Sequence, residues 1–205
     1  MKNNPCLIAG NIGNKKPERE FKIWTPEEFG KFISLIDNLT IKAAFITLFF
    51  TGMRVGELLA LYFEDIDLEN RTIKITKTKY DNVIGKTKTK GSNRIIKISE
   101  NLRIILNDYT DKIYKPGKKQ LLFDISRTLL IYYMRTYSIK AGVKRIRIHD
   151  LRHSHASYLI SKNVNIVAVS KRLGHVSIQT TLDTYTHLFK ESNDKLLEVL
   201  ENVKI

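Results

Sequence analysis

The apolar pattern of this chain changes its period between residues 71 and 98. Residues 72–76 and 94–98 are rich in β-branched side chains that alternate with polar ones, which is typical of half-buried strands. Gly85 and Gly91 interrupt the stretch between them. Elsewhere the apolar residues recur at helical spacing. The sequence therefore predicts a mainly α-helical (α+β) fold with a small antiparallel sheet of two or three strands, within the usual size of one domain.

Helix start and stop signals divide the rest of the sequence. Thr25 can cap a helix whose first turn holds Pro26 and two acidic residues, which suit the positive end of the helix dipole. A second helix is predicted over about residues 40–51, where Gly52 ends it, and a third begins at Arg54. Further helices are predicted over about 99–113, 126–141, 149–163 and 165–173, followed by a short helix that Ser177 caps.

Charge and cysteine content restrict the partners and the compartment. The 35 basic and 21 acidic residues give a net charge of +14, which favours a polyanionic partner such as nucleic acid over a merely soluble basic protein. Cys6 is the single cysteine, and the longest apolar run, residues 43–50, is too short to cross a bilayer. We therefore expect a protein of a reducing cytoplasm without a membrane partner.

All five histidines of the chain lie in one stretch, between residues 149 and 187. His149 and Arg152 are three residues apart, so on a helix both can point at one anionic group. Gly174-His175 and Tyr185 follow within a short segment broken by turns. Imidazole, guanidinium and phenol supply a proton carrier, donors for charged oxygens and a nucleophile, and this combination suits phosphoryl transfer.

Two basic segments are candidates for binding a phosphate backbone. Residues 71–97 contain nine basic residues and one acid, Asp81, and residues 144–147 form a second patch just before His149. The alternative for the first segment is an edge sheet that lysines keep soluble. The residues predicted to contact DNA are Lys77, Lys79, Lys86, Lys90, Arg94, Lys144, Arg145 and Arg147.

A second arginine lies upstream, in Thr51-Gly52-Met53-Arg54-Val55-Gly56-Glu57-Leu58-Leu59. With this motif, the lysine-rich hairpin, H-x-x-R, L-G-H and a tyrosine ten residues later, the sequence resembles the catalytic domain of the tyrosine recombinases, the integrases of phages and conjugative transposons. All five elements of that family's pattern are present, in order, over most of the chain. One departure is Lys97, where the family often has a proline.

The resemblance implies a role for each site residue. Arg54 and Arg152 would clamp the non-bridging oxygens of a phosphodiester, and Glu57 would orient Arg54. Tyr185 would be the nucleophile, His149 its proton acceptor, and His175 a hydrogen-bond donor to the phosphoryl group. A hairpin lysine must protonate the leaving 5′-oxygen; the K-T-K-x-S-x-R match assigns Lys88, with Lys90 two residues away as the alternative. His153, His155 and His187 have no role in the family pattern. His153 lies one turn beyond His149 and would either buttress the site or pack on a helix face; a structural role is favoured for it and for His155, and His187 would be structural or exposed.

The resemblance also implies an activity, an assembly and a bacterial, DNA-associated location in the cytoplasm. The enzyme would cut one DNA strand, form a 3′-phosphotyrosyl bond and rejoin the DNA in a new arrangement, integrating or excising a mobile element without metal, ATP or another cofactor. Its partners would be double-stranded DNA, three further copies in a homo-tetramer and, where excision needs one, an accessory excision factor. The expected parts are a linker remnant (1–20), the catalytic domain (21–190) and a tail helix (191–205).

Several alternatives stay open at this point. The tail helix would either exchange with a neighbouring protomer or dock on its own domain, since Leu196, Leu197, Leu200 and Val203 form one apolar stripe. A non-catalytic basic DNA-binding module would share the charge pattern. A zinc hydrolase would use the i, i+4 pair His149 and His153, but it would lack the glutamate of H-E-x-x-H and would place Arg152 beside the cation.

Overall fold

The computed structural model of the protein describes residues 22–81, 83–86, 92–185 and residue 201. Several sequence predictions therefore lie outside the described residues. They concern the linker remnant 1–20, Cys6, the two candidate acids Lys88 and Lys90, His187, and, apart from residue 201, the tail helix 191–205.

The amino-terminal helices form where the caps predict them. Helix α1 (Pro26–Ser34) begins with a reciprocal pair of hydrogen bonds between Thr25 and Glu28. Helix α2 (Leu39–Thr51) is capped by the Asn38 side chain and ends at Gly52, whose φ of 66° is left-handed. Helix α3 (Val55–Leu58) follows after three residues and is one turn long, shorter than its apolar pattern suggests.

The strands make two antiparallel sheets, where the sequence predicted one. A 3₁₀ turn (Phe63–Asp65) leads into β1 (Ile66–Asp67), β2 (Thr72–Ile75), β3 (Lys77–Tyr80), β4 (Val83–Lys86) and β5 (Arg94–Lys97). The first sheet has the order β1-β2-β5, with Ile73 opposite Ile96, while β3 and β4 form a separate hairpin. This hairpin packs against α3, where Gly56 leaves room for it: a Cβ there would lie 2.9 Å from the Lys79 carbonyl oxygen.

The carboxyl-terminal half is helical and supplies the histidine stretch. Its helices are α4 (Glu100–Thr110), α5 (Arg127–Lys140), α6 (Asp150–Ser161), α7 (Ile166–Leu173) and α8 (Ile178–Tyr185). The side chains of Ser99, Ser126 and Asn165 cap α4, α5 and α7. Gly174 ends α7 in the left-handed conformation, with φ of 71°.

Helix α2 lies at the centre of the core. Its residues are apolar on all sides and nearly all buried, which is the pattern of a helix surrounded by protein. It packs against α4 and α6, while α6, α7 and α8 enclose a smaller apolar cluster that includes Tyr185. The predicted fold class, mainly α-helical with small antiparallel sheets, is confirmed. Within the described ranges, no helix is long and apolar enough to span a membrane.

Candidate active site

The turn after α2 brings the two motif arginines onto one site. Gly52 approaches α6 so closely that a Cβ on it would lie 2.6 Å from the His155 ring. Its carbonyl oxygen accepts a hydrogen bond of 2.8 Å from Nη1 of Arg152, 100 residues further along the chain. Arg54 follows two residues after this turn, and its charge lowers the pKa of Arg152. A side chain at position 52 would therefore clash with α6, the helix that carries Arg152.

Arg152 is a buried cation with an unused donor. Its residue is 4% exposed, and its Nη2 atom has no hydrogen-bond partner among the described residues. Burial, followed by the charge of Arg54, lowers the pKa of Arg152 to about 9. An unpaired buried guanidinium N–H is costly unless a ligand completes it, and an anion compensates both the charge and the donor. The position therefore fits a phosphoryl oxygen.

Glu57 holds both Arg54 and Arg94. Its carboxylate accepts hydrogen bonds from the Arg54 backbone N–H (2.8 Å) and from Nη1 of Arg54 (3.0 Å). Arg94 donates to the same carboxylate from both terminal nitrogens, at 3.1 and 2.8 Å. Burial alone would raise the pKa of Glu57, but the hydrogen bonds and charge of Arg94 hold it below its ordinary value. The predicted contact between Glu57 and Arg54 is present, whereas the contact between Glu57 and Arg94 was not predicted.

Arg94 lies in the interior of the site, whereas the sequence analysis placed it on a DNA-contacting surface. Its side chain is 7% exposed and also donates from Nε to the Arg172 carbonyl oxygen at 2.8 Å. It packs on the α7 terminus, since a Cβ on Gly174 would lie 2.8 Å from its Nη1 atom. Glu57 and the Arg172 carbonyl oxygen thus accept hydrogen bonds from this guanidinium, and contact of Arg94 with DNA stays a prediction.

His149 and His175 lie near the two arginines, as predicted. Burial and the charge of Arg152 lower the pKa of His149, while burial and the same arginine lower the pKa of His175 to about 4. Nδ1 of His175 lies 2.7 Å from the Thr181 hydroxyl oxygen. When Thr181 donates its proton to Nδ1, the ring proton of neutral His175 resides on Nε2, which is then a donor for a ligand. The sequence analysis did not single out Thr181.

Tyr185 is enclosed rather than exposed. The residue is 1% exposed, in the cluster between α6, α7 and α8, and burial raises its pKa. Its hydroxyl lies 2.8 Å from Nδ1 of His153. Burial, followed by the charge of His149, lowers the pKa of His153 to about 4, so this ring is neutral near pH 7. The structure therefore brings His153, which the sequence analysis interpreted as structural, to the candidate nucleophile.

His155 has a structural environment, consistent with its interpretation from the sequence. Its Nε2 accepts a hydrogen bond of 3.1 Å from Nε of Arg172. Arg172 also donates to the carbonyl oxygens of Lys97 and Phe50, so it ties β5, the end of α2 and α6 to α7. Burial and the charge of Arg172 lower the pKa of His155 to about 3, which keeps the ring neutral as an acceptor.

The other residues predicted to contact DNA differ in their surroundings. Lys77 is paired with Asp65 at 2.7 Å and lies over the Tyr62 ring, so it is engaged within the protein. Lys79 is half-buried, whereas Lys86 and Arg145 are exposed. Lys144 lies 3.5 Å from Glu28 with half of its side chain exposed, and Arg147 keeps 79% of its side chain exposed while it binds Asp150.

A basic groove leads to His149. It has a volume of about 1110 Å³ and runs between α5 and the segment before α6. Arg127 and Arg135 contribute to it from α5, in addition to the predicted Arg145 and Arg147. Arg127 and Arg135 were not among the residues predicted to contact DNA, although their spacing of eight residues places them on one side of a helix. The basic residues that line the groove are Lys22, Arg127, Arg135, Arg145, Arg147 and His149.

Comparison with known proteins identifies the family. The model of the Phage integrase family matches residues 23–192. This chain belongs to the phage integrase family. The ICEBs1 integrase of Bacillus subtilis (strain 168) is 35% identical to it over 228 residues, which cover 98% of this chain and 60% of the relative. The integrase of Staphylococcus phage L54a is 32% identical over 178 residues, covering 75% of this chain and 49% of the relative.

A solved integrase shares the fold. The Tn1549 transposon integrase in complex with transposon right end DNA has a TM-score of 0.74 at 23% identity, covering 91% of this chain and 68% of that one. The resemblance to tyrosine recombinases is thereby confirmed. This chain spans about 60% of the length of the first relatives that it matches.

The surroundings of His153 do not favour the zinc hydrolase. Its Nδ1 faces the Tyr185 hydroxyl, and its ring lies edge to face with that of His149, with centroids 5.1 Å apart. Among the described residues, no group of three or more histidine, cysteine or acidic side chains is arranged to hold a metal ion. The geometry instead pairs His153 with a phenol.

Proposed function

We propose that this chain is the catalytic part of a site-specific DNA recombinase that integrates or excises a mobile element. The observation that carries the proposal is the buried, unpartnered Nη2 of Arg152 beside Arg54, in a site that also holds Tyr185. An anion is the ligand that such a site lacks, and a phenol is a nucleophile that can form a phosphodiester bond. The match of the integrase family model to residues 23–192 supports residues 21–190 as the catalytic domain.

The reaction would begin with a phosphodiester bound between the two arginines. Arg54 and Arg152 donate to its non-bridging oxygens, and Nε2 of His175 donates as negative charge develops on them. The Tyr185 oxygen attacks phosphorus and the 5′-oxygen leaves, so the strand is held by a 3′-phosphotyrosyl bond. The 5′-hydroxyl of a second strand then displaces the tyrosine. Because bond energy is kept in the covalent intermediate, rejoining requires neither ATP nor a metal.

The leaving 5′-oxygen requires a proton, and we propose Lys88 as its donor, with Lys90 as the alternative. Lys88→Ala should slow cleavage of ordinary DNA by about 10²–10⁴-fold, the usual contribution of general acid catalysis. It should have far less effect on DNA with a 5′-phosphorothiolate, whose sulfur leaves without a proton. Equal losses on both substrates would remove Lys88 from the role, and a selective loss in Lys90→Ala would assign it to Lys90.

We propose the basic groove beside His149 and the exposed Lys86 of β4 as the surface that binds double-stranded DNA. The cations in the groove outnumber its single carboxylate, Asp150, which Arg147 neutralises. Lys86, Lys144, Arg145 and Arg147 keep enough exposure to reach phosphates, and we add Arg127 and Arg135 to them. The DNA complexes of the Tn1549 integrase support this type of partner.

We further propose a homo-tetramer on two DNA sites, coupled by the tail. The apolar stripe of Leu196, Leu197, Leu200 and Val203 supports a docking helix. In the full-length protein, deletion of residues 192–205 should impair recombination between two sites more than cleavage of one strand. Unchanged recombination would reject exchange of the tail. An accessory excision factor is a further proposed partner, which an excision assay with fractionated host extract would detect.

The test of the proposed function is covalent capture. The protein is incubated with a pool of duplexes that have a randomised central sequence and a nick, so that cleavage releases a short fragment and leaves the protein on the 3′-phosphate. Excess EDTA is present throughout. We expect an adduct that resists denaturing detergent, and we expect Tyr185→Phe to fold but form none. An adduct-free pool, or adduct formation that EDTA abolishes, would reject the proposal.

A further inference from the structure

We propose that His153 takes the proton from the Tyr185 hydroxyl when Tyr185 attacks the phosphate. This inference rests on the proposed function, and it replaces His149 as the proton acceptor that the sequence analysis assigned. His149 then remains beside the phosphate site, where its ring lies edge to face with that of His153 at a centroid distance of 5.1 Å. His149 is the N-cap residue of α6, and His153 lies one helical turn further along.

The geometry at the hydroxyl supports the assignment. Nδ1 of His153 lies 2.8 Å from the Tyr185 oxygen, within the range for transfer of a proton between heavy atoms. Tyr185 is 1% exposed, so bulk water has little access to take the proton. His153 directly follows Arg152 in α6. The proton acceptor and the buried hydrogen-bond donor to the phosphate are therefore successive residues of one helix. The imidazole is thus in contact with the nucleophile before DNA arrives.

The electrostatics keep His153 ready to accept. Burial and the charge of His149 favour its neutral form, in which one ring nitrogen can accept a proton. The charges of Arg152 and Arg147 act in the same direction, and that of Asp150 opposes them. A phosphodiester bound to Arg152 would offset the nearby positive charge, so an imidazolium becomes easier to form in the complex. Ionisable groups from three parts of the site surround His153. They are Arg147 and His149 before α6, Asp150 and Arg152 on α6, His175 before α8, and Tyr185 on α8.

The step balances in both directions. As the Tyr185 oxygen bonds to phosphorus, its O–H bond breaks and the proton moves to Nδ1 of His153, while the P–O5′ bond breaks and the 5′-oxygen takes a proton from the general acid. On rejoining, a 5′-hydroxyl attacks phosphorus and gives its proton to the group that acted as general acid in cleavage. The P–O bond to Tyr185 breaks, and the His153 imidazolium returns its proton to the phenolate. His153 is therefore the acceptor in cleavage and the donor in ligation.

The test combines His153→Gln with a fluorinated tyrosine at position 185. A fluorinated phenol is a stronger acid, so it depends less on a base. On a duplex recovered from the randomised pool, His153→Gln should slow adduct formation by about 10²–10⁴-fold. Fluorotyrosine at 185 should restore most of that rate, whereas a 5′-phosphorothiolate should not, because it relieves only the need for an acid. The matched control is His149→Gln, whose defect fluorotyrosine should leave in place.

The opposite pattern would overturn the proposal. If fluorotyrosine restores His149→Gln and not His153→Gln, His149 is the acceptor; if His153→Gln keeps the wild-type rate, His153 has no chemical role. Should His153→Gln fail to fold, the test compares tyrosine with fluorotyrosine at position 185 in the protein that keeps His153. The rate of adduct formation should rise with pH through one ionisation for tyrosine and lose that dependence for fluorotyrosine. Parallel pH–rate profiles would contradict the proposal. If the wild type forms no adduct on Tyr185, the proposed function itself fails.

Discussion

Glu57 and Arg94 form a two-point ion pair in the interior of the site, although 37 residues separate them in the chain. Both side chains are nearly buried, at 2% and 7% exposure, whereas Arg54, the second partner of Glu57, is 40% exposed. The Glu57 carboxylate therefore pairs with one buried arginine, Arg94, and with one partly exposed arginine, Arg54, which a ligand can reach. The two arginines should differ in what their loss changes.

We predict that Arg94→Ala lowers stability far more than Arg54→Ala does. Removing one partner of a buried pair leaves an uncompensated charge and costs about 3–5 kcal/mol. An exposed pair contributes only about 0–1 kcal/mol. Chemical denaturation of the two variants measures the difference. The denaturation midpoint of Arg54→Ala should stay close to that of the wild type, while the variant loses adduct formation. Equal destabilisation of both variants would contradict the assignment.

Thr181→Val should reduce the rate of adduct formation without weakening DNA binding. Valine has nearly the same shape as threonine but lacks the hydroxyl that fixes the His175 ring, so Nε2 no longer points reliably at the phosphate. We expect a loss no larger than the roughly 10²–10³-fold cost of removing a transition-state donor. Thr181→Ser keeps the hydroxyl and is the control. A rate equal to wild type in the valine variant would show that Thr181 does not orient His175.

Lysines of the hairpin should separate into two classes in DNA binding. Each phosphate contact that is lost reduces the slope of log affinity against log salt concentration by about 0.9. Lys86→Ala should show this reduction, because Lys86 is exposed. Lys77→Ala should not, since Lys77 is paired with Asp65, but it should lower stability. Fluorescence anisotropy with duplex DNA at several salt concentrations measures both slopes, and a reduced slope in Lys77→Ala would place that lysine on DNA.

Stability should fall as the pH is lowered from about 7 to about 5. The pKa of His155 is about 3 in the folded protein, below its ordinary value near 6.5, so its contribution is fully present above about 6.5. Below that pH the unfolded state binds the proton and the folded state does not. Over this interval the loss from His155 is about 2 kcal/mol. Urea denaturation at the two pH values tests this, and stability that is unchanged or higher at pH 5 would contradict the buried neutral ring.

Local features of the sequence predicted most of the fold because its signals are short-range. Thr25, Ser99 and Ser126 each cap a helix within three residues of themselves, and Gly52 and Gly174 end helices through their own backbone conformation. The periodicity of residues 72–76 likewise identified a strand. It could not show that the next strands form a separate hairpin, since strand pairing depends on contacts with other segments.

The site was predictable as a set of residues, but its internal pairing was not. The motif places Glu57 three residues from Arg54, so that contact follows from helical spacing. The contacts of Glu57 with Arg94 and of His153 with Tyr185 join segments 37 and 32 residues apart, and they depend on tertiary packing. The charge count also could not show that Arg94 and Lys77, both predicted to contact DNA, pair with Glu57 and Asp65 in the folded chain.

Peptide mapping of the captured adduct shows which residue forms the covalent bond to DNA, and we expect that residue to be Tyr185. After detergent treatment and nuclease trimming, the adduct is digested with a protease and the modified residue is located by tandem mass spectrometry. We expect a nucleotide on Tyr185 alone, attached through its 3′-phosphate, in the presence of EDTA. A nucleotide on Tyr137, Tyr158 or any other tyrosine would contradict it.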